Sequence, residues 1–360
     1  MSYPKFLKIN LDFKETIFNA FYFLIFASVG FLIYSNALRA GFQFDDYAGI
    51  VDDPFIRNVF SFRTIWNAFN TRFLLGLSFA VNHAIGRTDP FGYHLFNVIL
   101  HIFSTFFLYG FVRLIFETPV MKGKIISKNE RLVAFFAALI FLTHPIQTQA
   151  VTYIWQRSAS MATFFYIATL FFYAKSRQPK GLIWSIGSLL ACVAAMFTKE
   201  IAITLPFAIA LYEFVFIQDW KSDKKKVILI LLPFFLMLPI IPLMLTRSHE
   251  VTLEVMRTES GMTRFVGEGV MRRGWYLLTE LNVVRTYFRL FFFPVRQNLD
   301  YDYPIAKTLS EQGTFFSLIF LALIFLSAGF MVKKFPMISF GVFWIFLTFS
   351  VESLVVQSDV

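Results

Sequence analysis

Long apolar runs separated by short clusters of lysine and arginine constrain this chain more than any single motif does. An α-helix needs roughly 20 predominantly apolar residues to cross a bilayer, because it rises only about 1.5 Å per residue. The chain is 57% hydrophobic and 16% charged, with 50 phenylalanines. A soluble domain is nearer 45–50% apolar and about a quarter charged. The expected fold is therefore an all-α polytopic membrane protein. The formal net charge of +10 does not indicate nucleic acid, since the cations sit in clusters between the runs rather than in one basic stripe. That placement is how membrane topology is encoded. Cys192 is the single cysteine, so no intrachain disulfide is available.

Lys5, Lys8 and Lys14 precede the first run, residues 17–38, which is too long for a signal-peptide core and is expected to be a retained anchor. The lysines place the N-terminus in the cytoplasm and residues 39–92 outside, as a long first external loop. Within that loop Asp53-Pro54 resembles an N-cap and first helical position. Val59, Phe62, Ile65, Trp66 and Phe69 then follow at helical spacing, which predicts an amphipathic helix in the interface. Residues 73–85 are apolar but too short to span, so they are expected to be interfacial or re-entrant. Further spans are expected at 93–116, 132–143, 158–174, 182–197, 201–217 and 227–245, the last kinked by Pro233, Pro239 and Pro242. Residues 247–313 form a later external region. Residues 275–293 carry Glu280, Asn282, Arg285 and Arg289, each costly at mid-bilayer, and a non-spanning reading keeps Lys333 and Lys334 inside. Two last spans, 315–332 and 335–349, bring the total to about nine.

By parity, Asp45, Asp46, Arg72, His94, His144, Gln147, Arg157, Lys199 and Glu200 gather at the external surface. A carboxylate there can take a proton from a hydroxyl nucleophile, and neighbouring cations can stabilise a phosphate leaving group. Asp45 and Asp46 also suit a turn, Lys199 and Glu200 a mutual ion pair, and His144 before Pro145 a helix end. Adjacent residues in an extended segment face opposite ways, so only one of the two aspartates is expected to point into a site. Asp52 and Asp53 read as loop and cap residues. No His-x-x-x-His or Glu-x-x-His spacing occurs, so the metal signal is weak, and there is no phosphate-binding loop, dinucleotide fingerprint or nucleophile elbow.

Several blocks together carry a family resemblance: Phe44-Asp45-Asp46 with Asp53-Pro54; Thr71-Arg72; residues 89–98 with His101; Thr143-His144-Pro145 through Val151; Thr198-Lys199-Glu200 through Thr204; and residues 300–304. In this order they are similar to the transmembrane and tetratricopeptide-repeat O-mannosyltransferases and their bacterial relatives. The resemblance implies a GT-C-type bundle, a polyprenyl- or dolichyl-phosphate sugar donor, and transfer with inversion on the external face. It places the catalytic diacid on Asp45 and Asp46, with a divalent cation as a candidate there. It also places the Lys-Glu pair on Lys199 and Glu200. Arg72, Arg157 and Lys199 are then candidates for the donor phosphate, and His144 for positioning donor or acceptor. The family's Gly-Arg-Ala-Asp block is here Gln156-Arg157-Ser158-Ala159, without its acid.

The expected activity is glycosyl transfer to a protein Ser/Thr hydroxyl or an envelope glycan, in a bacterial inner membrane with the active face periplasmic. No repeat domain follows in these 360 residues, so a separate tetratricopeptide-repeat partner is an expectation too. Two other readings stay open: a transporter or flippase of a lipid-linked substrate, or an inactive membrane scaffold.

Overall fold

The computed structural model describes residues 5–179, 181–218, 222–246, 273–298, 301, 303–311 and 313–354, with side chains from residue 15 to residue 353. Residues 247–272 of the expected later external region, together with 299, 300, 302 and 312, lie outside the described residues. Among the described residues every regular element is helical. The α-helices are α1 (Lys5–Ile33), α2 (Phe62–Phe69), α3 (Phe73–Gly86), α4 (Pro90–Phe116), α5 (Glu130–Thr143), α6 (Thr148–Thr152) and α7 (Arg157–Ser176). Then come α8 (Leu182–Met196), α9 (Leu205–Tyr212), α10 (Lys224–Phe235), α11 (Arg273–Phe292), α12 (Thr314–Met331) and α13 (Pro336–Leu354).

Among the described residues six segments are long and apolar enough to cross a membrane: Glu15–Ile33, Pro90–Phe116, Glu200–Ile217, Lys224–Thr246, Thr314–Met331 and Pro336–Ser353. This is an integral membrane protein. Of the other three expected spans, α5 has 14 residues and α8 has 15, short of a full crossing. The third, α7, has 20 residues but opens on a buried arginine.

Helix α4 is the central post, packed against α1, α5 and α7, while α7 also lies along α8. Gly30 lets α1 approach α4 closely, because a Cβ there would sit 2.7 Å from Ile102. The main core runs through Phe26, Ile102, Tyr109, Leu142, Leu170, Tyr212 and Phe340. A second core under the first loop joins Ile50, Ile56, Ile65, Phe79, Tyr93 and Ile154. Helices α11, α12 and α13 form a third group around Val284, Phe288 and Leu321. Its broadest packing against the rest is through α13, which lies on residues 200–204 and α9.

Two local expectations change. The loop helix starts at Phe62 rather than at Pro54. Asp53 Oδ1 instead accepts the Phe55 N–H at 2.7 Å, and Asn58 Oδ1 the Phe60 N–H at 3.0 Å, so two side-chain-closed turns precede the helix. The segment at 201–217 is not one α-helix but a 3₁₀ turn (Glu200–Thr204), α9, and a π turn (Glu213–Ile217). Pro206 has no N–H to continue the upstream ladder. The 227–245 segment is α10 followed by a turn at 236–239 and a last helical piece to Thr246, the expected proline break. Helix α11 is not among the six apolar crossings. Its Asn282 donates to Thr314 Oγ1 at 2.9 Å and accepts from Ser317 Oγ at 2.6 Å, which satisfies a buried amide between helices.

Candidate active site

The two aspartates separate. Phe44 takes a left-handed backbone, φ +47°, and turns the chain into a short helical segment that opens with them. A bulky residue rarely accepts that conformation, so surrounding contacts must hold it. Asp45 is exposed, and Asp46 is 1% exposed. Asp46 Oδ2 accepts the Gln43 N–H at 3.0 Å, and Oδ1 accepts the Trp155 N–H at 2.8 Å. Burial pushes the Asp46 carboxyl above the ordinary carboxylate range despite these two bonds, and the Asp45 charge adds to the shift. Asp45 is held differently. Tyr153 Oη donates to Asp45 Oδ2 at 2.9 Å and accepts the Asp45 N–H at 3.0 Å. Burial, then the Asp45 carboxylate, raises the Tyr153 phenol, which stays protonated as the donor. Gly49 lies flat under Trp155, whose ring would overlap any Cβ there.

Below the diacid sits Arg157, 0% exposed. Its Nε donates to Asn97 Oδ1 at 2.7 Å, Nη1 to Ser78 Oγ at 3.2 Å and Nη2 to the Tyr93 carbonyl at 2.9 Å. Phe96 and Phe79 lie 4.4 and 4.6 Å from the guanidinium carbon. Neutral acceptors and aromatic faces thus hold this cation where Ala159 supplies no acid. Arg157 reaches Asp46 by its field rather than by contact.

Lys199 and Glu200 do not pair with each other. Glu200 receives Arg72 through Nε at 3.3 Å and Nη2 at 3.2 Å, and Thr71 Oγ1 at 3.2 Å. Lys199 Nζ instead reaches Glu352 at 2.7 Å, which ties α13 to the Lys-Glu block. His144 caps the turn at Pro145–Gln147 by accepting the Ile146 N–H at Nδ1, 3.2 Å, and its Nε2 lies 2.9 Å from the Phe291 carbonyl. Both ring nitrogens are engaged, so the imidazole fastens α11 to the end of α5.

Two cavities flank the segment 152–155. One of ≈ 400 Å³ is lined by Asp52, Asp53, Phe69, Arg72 and Trp155. The other, of ≈ 380 Å³, is lined by Gln149, Thr152, Glu280, Tyr287, Tyr303 and Glu352. Trp155, the Asp46 partner, thus walls the first cavity, and Thr152, next to the Asp45 partner Tyr153, walls the second. Tyr153, Trp155, Asn97 and Glu352 are members of this region that sequence reasoning did not place among the site candidates, and Glu280 entered it only as a charge costly at mid-bilayer. Aromatic and amide residues in apolar runs carry no local mark of a polar role, whereas Glu352 and Glu280 are visible as carboxylates near expected membrane boundaries. Among the described residues no group of three or more His, Cys, Asp or Glu gathers as a metal nest. At the diacid both Asp46 oxygens are committed to N–H donors, which leaves Asp45 alone to face a cation.

No family model and no solved structure matches the chain. Curated proteins do. Protein O-mannosyl-transferase TMTC2 of Homo sapiens is 30% identical over 213 residues, 54% of this chain and 24% of that protein. Protein O-mannosyl-transferase TMTC3 of Homo sapiens is 29% identical over 204 residues, 52% of this chain and 21% of that protein. Protein O-mannosyl-transferase Tmtc3 of Drosophila melanogaster is 29% identical over 226 residues, 54% and 24%. The matched part spans about a quarter of the length of these relatives. Over about half of its own length, then, this chain is a homologue of the protein O-mannosyl-transferases.

Proposed function

We propose that the chain is a GT-C-type membrane glycosyltransferase. It would move a sugar from a polyprenyl- or dolichyl-phosphate donor to a Ser/Thr hydroxyl of a protein, or to an envelope glycan, on the external face. The observation that carries this reading is the division of labour in the diacid: one carboxylate is locked and buried, and its neighbour is exposed and held by the Tyr153 hydroxyl. In this reading Asp45 is the general base. It takes the acceptor proton as the hydroxyl oxygen attacks the anomeric carbon, and the bond from that carbon to the phosphate oxygen breaks with inversion. Asp46 is the anchor that holds the loop, and Tyr153 orients the Asp45 carboxylate.

Arg72 commits Nε and Nη2 to Glu200 and still lines a cavity, so it is the residue assigned to the leaving phosphate. Lys199 supports the same charge from beside Glu352, Glu200 holds Arg72, His144 holds α11, and Arg157 supplies field from below. No step in this reading passes through a divalent cation. Nine crossings, with α5, α7 and α8 completing the six apolar ones, an N-terminus inside a bacterial inner membrane, and α2 and α3 in the interface complete the proposed topology. A separate repeat protein is the proposed partner for presenting acceptors.

The test is turnover by the purified chain in liposomes with a polyprenyl-phosphate hexose and a Ser/Thr peptide. Asp45→Asn should abolish transfer, and Asp46→Asn should lower it through loss of loop order. Full turnover by Asp45→Asn at normal abundance would falsify the assignment.

A further inference from the structure

Where the first loop returns to the bilayer, two exposed arginines and a histidine meet across 26 residues of chain. Arg57 Nη1 donates to His83 Nε2 at 2.9 Å, and Arg57 Nη2 donates to the Val51 carbonyl. A guanidinium only donates, so the imidazole accepts at that nitrogen and is neutral. Burial, then the charges of Arg57 and Arg87, hold His83 below its usual range and keep it in the accepting form. Arg87 follows α3 with φ +53°. Its N–H reaches the His83 carbonyl at 2.8 Å, and its own carbonyl receives the Tyr93 hydroxyl at 2.9 Å. Among the described residues no carboxylate pairs with Arg57 or Arg87. Asp53, whose charge feels Arg57, spends Oδ1 on the Phe55 N–H, and Asp89 spends Oδ1 on the Phe91 N–H. Neither arginine nor His83 lines either cavity.

Helix α4 sets the depth of this corner. Its 27 residues rise about 40 Å, close to a whole bilayer with its headgroups, about 40–45 Å. Pro90 opens that crossing, so Arg87, just before it, stands at headgroup level. On α4 the exposed Phe91, Ile99 and Phe103 lie within about 120° of one another around the axis, which marks the face that meets lipid. Exposed apolar side chains continue past the end of α4. Val81 and Ile85 are exposed one turn apart on α3, Ile85 at 82%, and Phe60 on the Arg57 segment is exposed to the same degree. Such side chains are costly in water and stable among acyl chains. Arginine at this depth keeps its charged head at the phosphate layer, where its planar donors fit a phosphodiester.

We propose that Arg57 and Arg87 form a docking site for the phosphate of an anionic phospholipid in the leaflet facing the diacid, with Phe60 and Ile85 dipped among the acyl chains. Neutral His83 holds Arg57 in place without cancelling its charge. A water-facing acidic peptide would meet the same charges but leave Phe60 and Ile85 uncovered, so lipid is the better occupant. The site stands whether or not the chain transfers a sugar.

The experiment places the full chain in nanodiscs that mix phosphatidylcholine and phosphatidylglycerol, with a fluorophore on Ile85→Cys. The native Cys192 is buried and stays unlabelled. Phosphatidylglycerol and phosphatidylcholine carrying a doxyl group high on the acyl chain are compared as quenchers. Both should quench, and the phosphatidylglycerol should do so about threefold or more strongly at equal dose. Arg57→Gln with Arg87→Gln should make the two lipids equal. Lys333→Gln with Lys334→Gln, at the opposite end of α4 where Lys124 reaches the Lys333 carbonyl, should leave the preference unchanged. Circular dichroism and gel filtration select variants that fold, and Arg87→Gln alone, which spares the Arg57–His83 contact, should at least about halve the preference. No quenching by either lipid, equal quenching in wild type, or a preference that survives the Arg57 and Arg87 substitutions overturns the proposal. Relief of quenching by a soluble polyglutamate peptide also overturns it, in favour of an acidic-peptide site.

Discussion

The bundle has two polar ends, and they are built on opposite principles. Asn97 and Arg113 lie on the same helix, α4, 16 residues apart, which puts the two ends roughly 24 Å apart along its axis. At the far end Arg113 meets both Glu15 and Glu130, and Arg131 reaches Glu15 at 2.7 Å. Nearby, Arg177 reaches Glu213 at 2.8 Å, and Tyr173 donates to the same carboxylate at 2.8 Å. Charges there are matched within the protein, and Glu213 is buried. At the diacid end Asp45 is exposed, Arg72 and Asp53 line one cavity, and Glu280 and Glu352 line another. A layer whose charges all answer one another stabilises a fold. One that leaves a carboxylate open beside cavities has capacity for a ligand. The difference separates structural from chemical polarity in a chain where both look alike as sequence.

The sharpest way to break this contrast is to neutralise one carboxylate at each end. Asp45→Asn should cut transfer by about 10²–10⁴-fold with stability changed by no more than about 0.5 kcal/mol. Glu213→Gln should do the reverse: near-normal turnover per folded molecule, and a loss of about 3 kcal/mol, because the mostly enclosed Arg177 loses its buried carboxylate partner. Parallel turnover and thermal-melting measurements decide it, and equal rate losses for both variants would erase the distinction.

Arg157→Met probes whether a buried cation at the diacid end is structural as well. Asn97 Oδ1 and the Tyr93 carbonyl would lose their donor, so a loss of about 3 kcal/mol is expected. An unchanged melting temperature would mean that the aromatic cage alone suffices.

Tyr153→Phe removes only a hydroxyl. Turnover should fall about tenfold, the size of one lost charge-assisted hydrogen bond, while protein yield holds. A rate equal to wild type across pH would show that Asp45 needs no such guide.

The smallest effect concerns pH. The folded Asp46 carboxyl titrates above its unfolded value, so its ionised form opposes folding and protonation relieves that cost. As pH falls from neutrality through the raised pKa, wild type should gain stability relative to Asp46→Asn. Melting curves followed from neutrality down to the ordinary aspartate pKa of about 3.9 that stay parallel would contradict the burial argument.

Much of this molecule is legible from local pattern. The apolar runs mark α4, α12 and α13 within a few residues, and they locate α1 and α10 without fixing where α1 starts or α10 ends, because side chains that must face lipid recur without interruption over a helix length. The first-loop helix was misplaced at its start, since Asp53 and Asn58 can close turns as readily as they cap helices, and only geometry distinguishes the two. The separation of Asp45 from Asp46 does not come from an extended segment, since both open a helical turn; the contacts of Tyr153 and Trp155 decide it.

Sequence by itself therefore determined that this is a helical membrane protein with a diacid beyond its first apolar run, because lipid exposure and backbone geometry act over a few residues at a time. Only the tertiary structure decided which aspartate is open. Asp45 meets Tyr153 across 108 residues, Asp46 meets Trp155 across 109, and Lys199 meets Glu352 across 153. A hydrogen bond needs its partners within about 3 Å, and separations of that order along the chain carry no periodicity that could announce them.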